Sequence, residues 1–98
     1  MIDEFINDFR PACEKIAFIN ETAYEHGLTD EDIYYIIDNY IGMFEIKGEG
    51  QEKLWYIGPK PGSANLMEVL IVEFIGEIPA VIHAMPATKE ILKLVGLL

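Results

Sequence analysis

Residues 65–75 read Asn-Leu-Met-Glu-Val-Leu-Ile-Val-Glu-Phe-Ile, and this stretch decides the fold. Its length and its β-branched residues are typical of a strand. Alternate residues of a strand point to opposite faces, and here both sets are mostly apolar. One set contains Leu66, Leu70, Val72 and Phe74, and the other contains Met67, Val69, Ile71 and Ile75. Both faces therefore need cover, from the helices on one side and from the last helix or a second protein on the other.

Shorter strand patterns flank this stretch and are separated from it by turn-forming residues. The predicted strands are 43–47, 53–57, 65–75 and 78–85. Connections this short join antiparallel neighbours, so we predict a four-stranded antiparallel β-meander in chain order. Pro79 lacks a backbone N–H, which predicts that the last strand lies at a sheet edge or begins irregularly.

The rest of the chain has the period of helices. Apolar residues three and four positions apart predict a short helix over 2–9 and a main helix over 11–26. Thr29 and the acids after it predict the start of a helix over 29–41, and a last helix covers 88–97. We therefore predict the α+β class and a single domain over 1–98. Its parts are a helical half (1–42), an antiparallel sheet (43–86) and a C-terminal helix (87–98).

Charge is distributed unevenly along the chain. The formal net charge is −10, and residues 1–49 account for −9 of it, with three basic residues against twelve acids. Residues 50–98 carry four basic residues against five acids. This balance argues against general nucleic-acid binding but leaves room for a local site in the second half.

The acidic N-terminus is unlike a secretory signal and no apolar run could span a bilayer, so we expect a cytoplasmic protein without membrane contact.

The predicted meander collects polar residues at one edge of the sheet. The end of its second strand, the start of its third and the end of its fourth share that edge. The residues brought there are Lys60, Ser63, Asn65, Thr88 and Lys89, with His83 slightly further in. Lysines and the start of a helix favour a phosphate, so the sequence predicts an anion site.

Four segments give the chain a family resemblance. They are Glu25-His26-Gly27-Leu28-Thr29, Tyr56-Ile57-Gly58-Pro59, Asn65-Leu66-Met67-Glu68-Val69 and Ile82-His83-Ala84-Met85-Pro86-Ala87-Thr88-Lys89-Glu90. In this order and spacing, over roughly residues 24–96, they resemble the BrnT-type toxins and their uncharacterised relatives. The resemblance implies the compact RelE-like ribonuclease fold. It also implies an mRNA-cleaving toxin that uses no metal or other cofactor and is neutralised by a cognate antitoxin.

If the chain cleaves RNA as the resemblance implies, the chemistry of that reaction gives the candidate residues their roles. Cleavage of RNA without a metal needs a base, an acid and stabilisation of the charge on phosphorus. His83 is the candidate acid or base, Lys60 and Lys89 stabilise charge, and Thr88 completes the catalytic set. The candidate substrate-binding residues are Tyr56, Ser63, Asn65 and His26, and Tyr56 is a second proton carrier if it faces His83.

Each of these residues also has an ordinary structural interpretation. His83 alternates with apolar residues and suits a hydrogen-bonded core histidine, and His26 suits the end of a helix. Residues 58–62 suit a hairpin loop. The family is usually basic, whereas Arg10 is the only arginine here. The alternative function is therefore a non-catalytic protein-interaction module on the same fold. The hydrophobic content of 51% favours a homodimer or a complex with a partner.

Overall fold

The computed structural model describes residues 18–48, 50–74 and 77–98. Within these residues the chain forms five strands, a short 3-10 helix and two α-helices, so the prediction of the α+β class is confirmed. In chain order the elements are β1 (Phe18–Ile19), the 3-10 helix (Glu21–Tyr24), α1 (Asp30–Asp38), β2 (Gly42–Gly48), β3 (Gln51–Pro59), β4 (Leu66–Phe74), β5 (Ala80–Pro86) and α2 (Lys89–Leu94).

The strands form one mixed sheet in the order β1-β5-β4-β3-β2. Neighbours from β2 to β5 are antiparallel, and β1 adds a parallel pair in which Phe18 lies opposite Ala80 and Ile19 opposite Val81. The predicted sheet of four antiparallel strands is therefore wrong in strand number and order. A two-residue strand that pairs with residues about sixty positions later has no local period that a sequence pattern could show.

The start of β5 agrees with one of the two expectations from Pro79. The pairing of β5 with β4 begins at Ala80, directly after the proline, and its register shifts between Leu70 and Ile71. The strand is not a sheet edge, however, because β1 lies on its other side. Pro79 stands outside the ladder, so its missing N–H removes no bond from the strand.

The predicted main helix over 11–26 is wrong for the part that the structure describes. Residues 18–19 form β1, and only residues 21–24 are helical. Asn20 donates its backbone N–H to the Val81 carbonyl at 2.8 Å, and the Thr22 hydroxyl donates to the Ile82 carbonyl at 2.6 Å. These bonds to β5 draw the segment into the sheet, so the predicted helical half (1–42) contains a strand. The predicted helix over 2–9 lies outside the described residues.

Helix α1 begins where the sequence predicted. The Thr29 hydroxyl accepts from the Asp32 backbone N–H at 3.1 Å, and an Asp32 carboxylate oxygen accepts from the Thr29 N–H at 3.0 Å. This capping box satisfies two groups at the helix start. The helix ends at Asp38, three residues before the predicted end at 41, since Ile41 donates its N–H to the Ile57 carbonyl and leads into β2.

The hydrophobic core lies between α1 and one face of the sheet, which we call the α1 face. Its buried members include Ile33, Ile36 and Ile37 of α1 and Met67, Val69 and Ile71 of β4. Gly58 of β3 allows the two layers to approach, because a Cβ atom there would lie 2.9 Å from the Ile36 carbonyl oxygen. The sequence placed Gly58 in a loop, but the structure places it inside a strand.

The opposite face of the sheet, called the α2 face, includes Ile57, Glu68, Leu70 and His83, because these residues lie in register on adjacent strands. Helix α2 crosses one end of this face, and a Cβ atom at Gly42 would meet Val95 Cγ2 at 3.0 Å. The helix was predicted over 88–97 and occupies 89–94. Among the described residues, no helix has the length and apolarity needed to cross a membrane.

Candidate active site

A carboxylate and an imidazole are paired on the α2 face. Glu68 Oε2 lies 2.8 Å from His83 Nε2. The register places Glu68 opposite Met85 and Leu70 opposite His83, so the two side chains are diagonal neighbours on adjacent strands. Glu68 is 4% exposed and is the one buried charged residue in the part of the chain that the structure describes. The His83 side chain is 31% exposed, so its ring reaches the surface while its partner does not.

Glu68 also holds the start of α2. Its Oε1 atom accepts the backbone N–H of Thr88 at 2.9 Å. The Thr88 hydroxyl in turn accepts the Ile91 N–H at 3.3 Å as the N-cap. The N–H groups of Thr88 and Ile91 therefore already have acceptors within the chain.

Sequence reasoning named His83 and Thr88 but missed Glu68. In the sequence interpretation Glu68 was only one residue of the segment 65–69 that carries the family resemblance. The available signal was its position, because an acid on a strand that is apolar on both faces must be buried or paired. The acceptors that it provides to His83 and Thr88 satisfy that requirement.

A second group of candidate residues lines a cleft beside this pair. The cleft has a volume of about 560 Å³, and its lining includes His26, Lys60 and Asn65. Pro86 and Ala87 form part of the same lining, and the Ala87 N–H donates to the Leu66 carbonyl at 3.0 Å. The predicted convergence of the loop after β3 with the end of β5 is therefore present. Ala87 lines the cleft and the next residue, Thr88, binds Glu68, so one short segment separates the two groups.

The loop between β3 and β4 is held by its own hydrogen bonds. Lys60 donates its backbone N–H to the Asn65 carbonyl at 3.1 Å, and Ser63 donates to the Lys60 carbonyl at 3.0 Å. The Ser63 hydroxyl accepts the Asn65 N–H at 3.0 Å. Ser63 thus stabilises the loop that presents Lys60, and it is absent from the cleft lining.

Tyr56 does not join His83. It lies opposite Val69 and packs against the core on the α1 face, whereas His83 is on the α2 face. Its ring contacts Tyr40 edge-on at 5.1 Å between centroids. Burial is the main cause that raises the pKa of Tyr56, with smaller contributions from Tyr40 and Glu45. The condition set for Tyr56 as a second proton carrier is therefore not met.

The arrangement offers general acid–base chemistry and no metal centre. Within the described residues no cluster of His, Cys, Asp or Glu is suited to hold a metal ion. Lys89 is the exposed first residue of α2 and lies outside the cleft lining.

No protein-family model, curated protein or solved structure matches the chain.

Proposed function

We propose that the protein is a metal-independent endoribonuclease of the BrnT-type toxin kind, in which His83 is the acid or base. The contact of 2.8 Å between Glu68 and His83 carries this proposal. A buried carboxylate beside a partly exposed imidazole holds the ring in one orientation, which is an arrangement that general acid–base catalysis uses. The family resemblance supplies the substrate class, and the cleft with Lys60 supplies a place for the RNA.

The proton transfers follow from the hydrogen bonding. A carboxylate accepts only, so Nε2 of His83 carries the hydrogen that faces Glu68 and Nδ1 is the nitrogen available to RNA. As a base, Nδ1 takes the proton of an RNA 2′-hydroxyl while the oxygen of that hydroxyl attacks the adjacent phosphorus. The bond from phosphorus to the 5′-oxygen then breaks, that oxygen takes a proton from solvent water, and the protonated His83 releases its proton to solvent afterwards. Lys60 reduces the negative charge on phosphorus.

The partner and the cellular role also belong to this proposal. A toxin of this kind is kept inactive by a cognate antitoxin encoded beside it. Expression of the chain alone should stop growth, and co-expression of the neighbouring gene should restore it. Growth that is unaffected both by expression of the chain alone and by co-expression of the neighbouring gene would contradict the toxin role.

The decisive assay measures cleavage of a mixed-sequence RNA in the presence of a chelator. His83→Ala should lower the rate by a factor of about 100 to 10,000 because it removes the acid or base. Glu68→Gln retains an acceptor for Thr88 but loses the charge that orients His83. It should lower kcat with little change in KM. Urea unfolding of each variant separates loss of chemistry from loss of folding, and equal cleavage by a folded His83→Ala variant would overturn this assignment.

A second function is favoured by a specific observation. Both oxygens of Glu68 have partners inside the chain, so the pair with His83 also ties β4, β5 and α2 together as a structural link. The net charge of −10 fits this alternative as well, because RNA is repelled by an acidic surface. A wild-type protein that folds, cleaves no RNA and is destabilised by His83→Ala would identify a non-catalytic interaction module.

A further inference from the structure

Strand β2 is an edge strand with an unusually apolar exposed surface. Within the described residues it pairs with β3 on one side only. Met43 and Ile46 in the strand and Ile41 just before it are exposed, and Ile46 is 52% accessible. The free backbone groups of such an edge pair readily with another strand unless a proline, a bulge or repulsion between charged side chains opposes the pairing. Here the full ladder from residue 42 to residue 48 is regular.

The charges on β2 are complementary to the same strand running in the opposite direction. Glu45 and Lys47 flank Ile46, are exposed and point to the same face. If two copies pair antiparallel about Ile46, each Glu45 lies opposite the other copy's Lys47, and the two Ile46 side chains meet on the opposite face of the sheet. A pairing centred on Glu45 or on Lys47 would instead place two like charges directly opposite each other, which is unfavourable.

We infer that a second copy of this chain binds at the β2 edge, with a two-fold axis at Ile46 that joins the two sheets into one. The axis stands perpendicular to the sheet, so the α1 faces of both copies lie on the same side. The Ile46 side chain of each copy gains apolar cover beside the stacked rings of Phe44 and Trp55, whose centroids are 4.8 Å apart. The Glu68–His83 pair is on β4 and β5, so this interface is separate from the proposed active site.

The dimer should be weak and concentration-dependent. One pair of seven-residue strands buries less area than a standard stable interface, which covers roughly 1,600 Å² in total. Sedimentation velocity of the wild-type chain should therefore show a reversible change from monomer to dimer between low and high micromolar concentrations. A wild-type protein that stays monomeric at high micromolar concentration would overturn the inference.

Charge reversal tests the register. Lys47→Glu leaves two acids on the edge, and Glu45→Lys leaves two lysines, so each variant alone places like charges opposite each other in both pairs. Each should raise the dissociation constant at least about tenfold. The double variant Glu45→Lys/Lys47→Glu restores opposite charges and should dimerise like the wild type. Position 47 lies opposite Glu52 of β3, and the double variant carries the same Lys47→Glu change there as the single variant, so it controls for changes within one chain.

Mixing the two single variants gives the decisive result. The two edges then carry opposite charges throughout, so a heterodimer should form in the mixture while each component alone stays monomeric. Circular dichroism and urea unfolding establish that both variants are folded. If the mixture forms no heterodimer, or if the single variants dimerise as well as the wild type, the two-fold pairing at Ile46 is wrong. Neither result depends on ribonuclease activity.

Discussion

At the scale of single residues, Glu68 has the greatest structural consequence. It is buried, it accepts from Thr88 at 2.9 Å, and it lies 2.8 Å from His83, so one carboxylate connects two strands and the last helix. Removing it leaves the Thr88 N–H and the His83 ring nitrogen without their acceptor, and both groups are partly buried. Such groups regain bonds to solvent only in part.

We therefore expect Glu68→Ala to lower the free energy of unfolding by about 1–3 kcal/mol. Glu73 in the same strand is exposed and lies opposite Glu52, so Glu73→Ala serves as the matched control. Its effect should stay within about 0.5 kcal/mol. Urea unfolding followed by circular dichroism measures both values. Equal effects of the two substitutions would show that the bonds of Glu68 do not contribute to stability.

Tyr24 gives a second residue-scale prediction through pH. Its hydroxyl donates to an Asp30 carboxylate oxygen, and this hydrogen bond is the main cause that raises the pKa of Tyr24 from 10.0 to about 12. Because the folded pKa is raised, the bond contributes fully below about pH 10 and its contribution is lost as pH rises toward about 12. Asp30→Asn should return the pKa of Tyr24 toward its ordinary value.

An NMR titration of the Tyr24 ring carbon measures this pKa directly. Glu31→Gln is the control, since it removes a neighbouring carboxylate of α1 that is not the hydrogen-bond partner of Tyr24. It should leave the titration of Tyr24 unchanged. A midpoint near 10 in the wild type would contradict the hydrogen bond between Tyr24 and Asp30.

At the scale of elements, the approach of α1 to the sheet depends on Gly58. A Cβ atom there would lie 2.9 Å from the Ile36 carbonyl oxygen and 3.1 Å from Tyr40 Cα. These are backbone atoms, which cannot rotate away as the end of a flexible side chain can. A side chain at this position therefore has to displace the helix.

We expect Gly58→Ala to destabilise the protein by about 1–3 kcal/mol, the usual cost of overpacking. Gly48 is also a strand glycine, and the nearest atom to a Cβ there is the Gln51 carbonyl oxygen at 3.8 Å. Gly48→Ala should therefore have an effect within about 0.5 kcal/mol. Thermal unfolding of the two variants measures the difference between their stabilities. A Gly58→Ala variant as stable as the control would mean that the two layers can separate without cost.

At the scale of the whole molecule, the distribution of charge bears on the RNA binding that we propose. The second half of the chain is close to neutral, whereas residues 1–49 carry −9. RNA should therefore bind weakly and through a few local lysines. Each phosphate that a lysine contacts adds about 0.7 to the slope of log affinity against log salt concentration for a single strand.

Lys60→Ala and Lys89→Ala should each weaken binding and reduce that slope by about 0.7 if the proposed RNA site is correct. Lys53 of β3 lines a different cleft together with Ile46 and Trp55, and Lys53→Ala is the control that should leave the slope unchanged. Fluorescence anisotropy at several salt concentrations gives the slopes. A larger effect of Lys53→Ala than of Lys60→Ala would place the RNA on another surface.

Local patterns in the sequence predicted much of the fold. The alternation in 65–75 predicted β4, and the Thr29 segment predicted the capped start of α1. Short connections predicted that β2 to β5 pair in succession, because a short turn cannot carry the chain past a neighbouring strand. The same reasoning brought the loop with Lys60 and Asn65 to the sheet edge where the last strand ends, and the structure places these two residues on one cleft with Pro86 and Ala87.

Only the tertiary structure decided the features that depend on distant residues. Phe18 and Ile19 have the spacing of a helix in the sequence, but their hydrogen bonding to β5 makes them a strand. Tyr56 and His83 lie apart because the strand register places their side chains on opposite faces of the sheet. Glu68 became the partner of His83 for the same reason. Register and burial arise from contacts between segments far apart in the chain, and a local pattern carries no information about them.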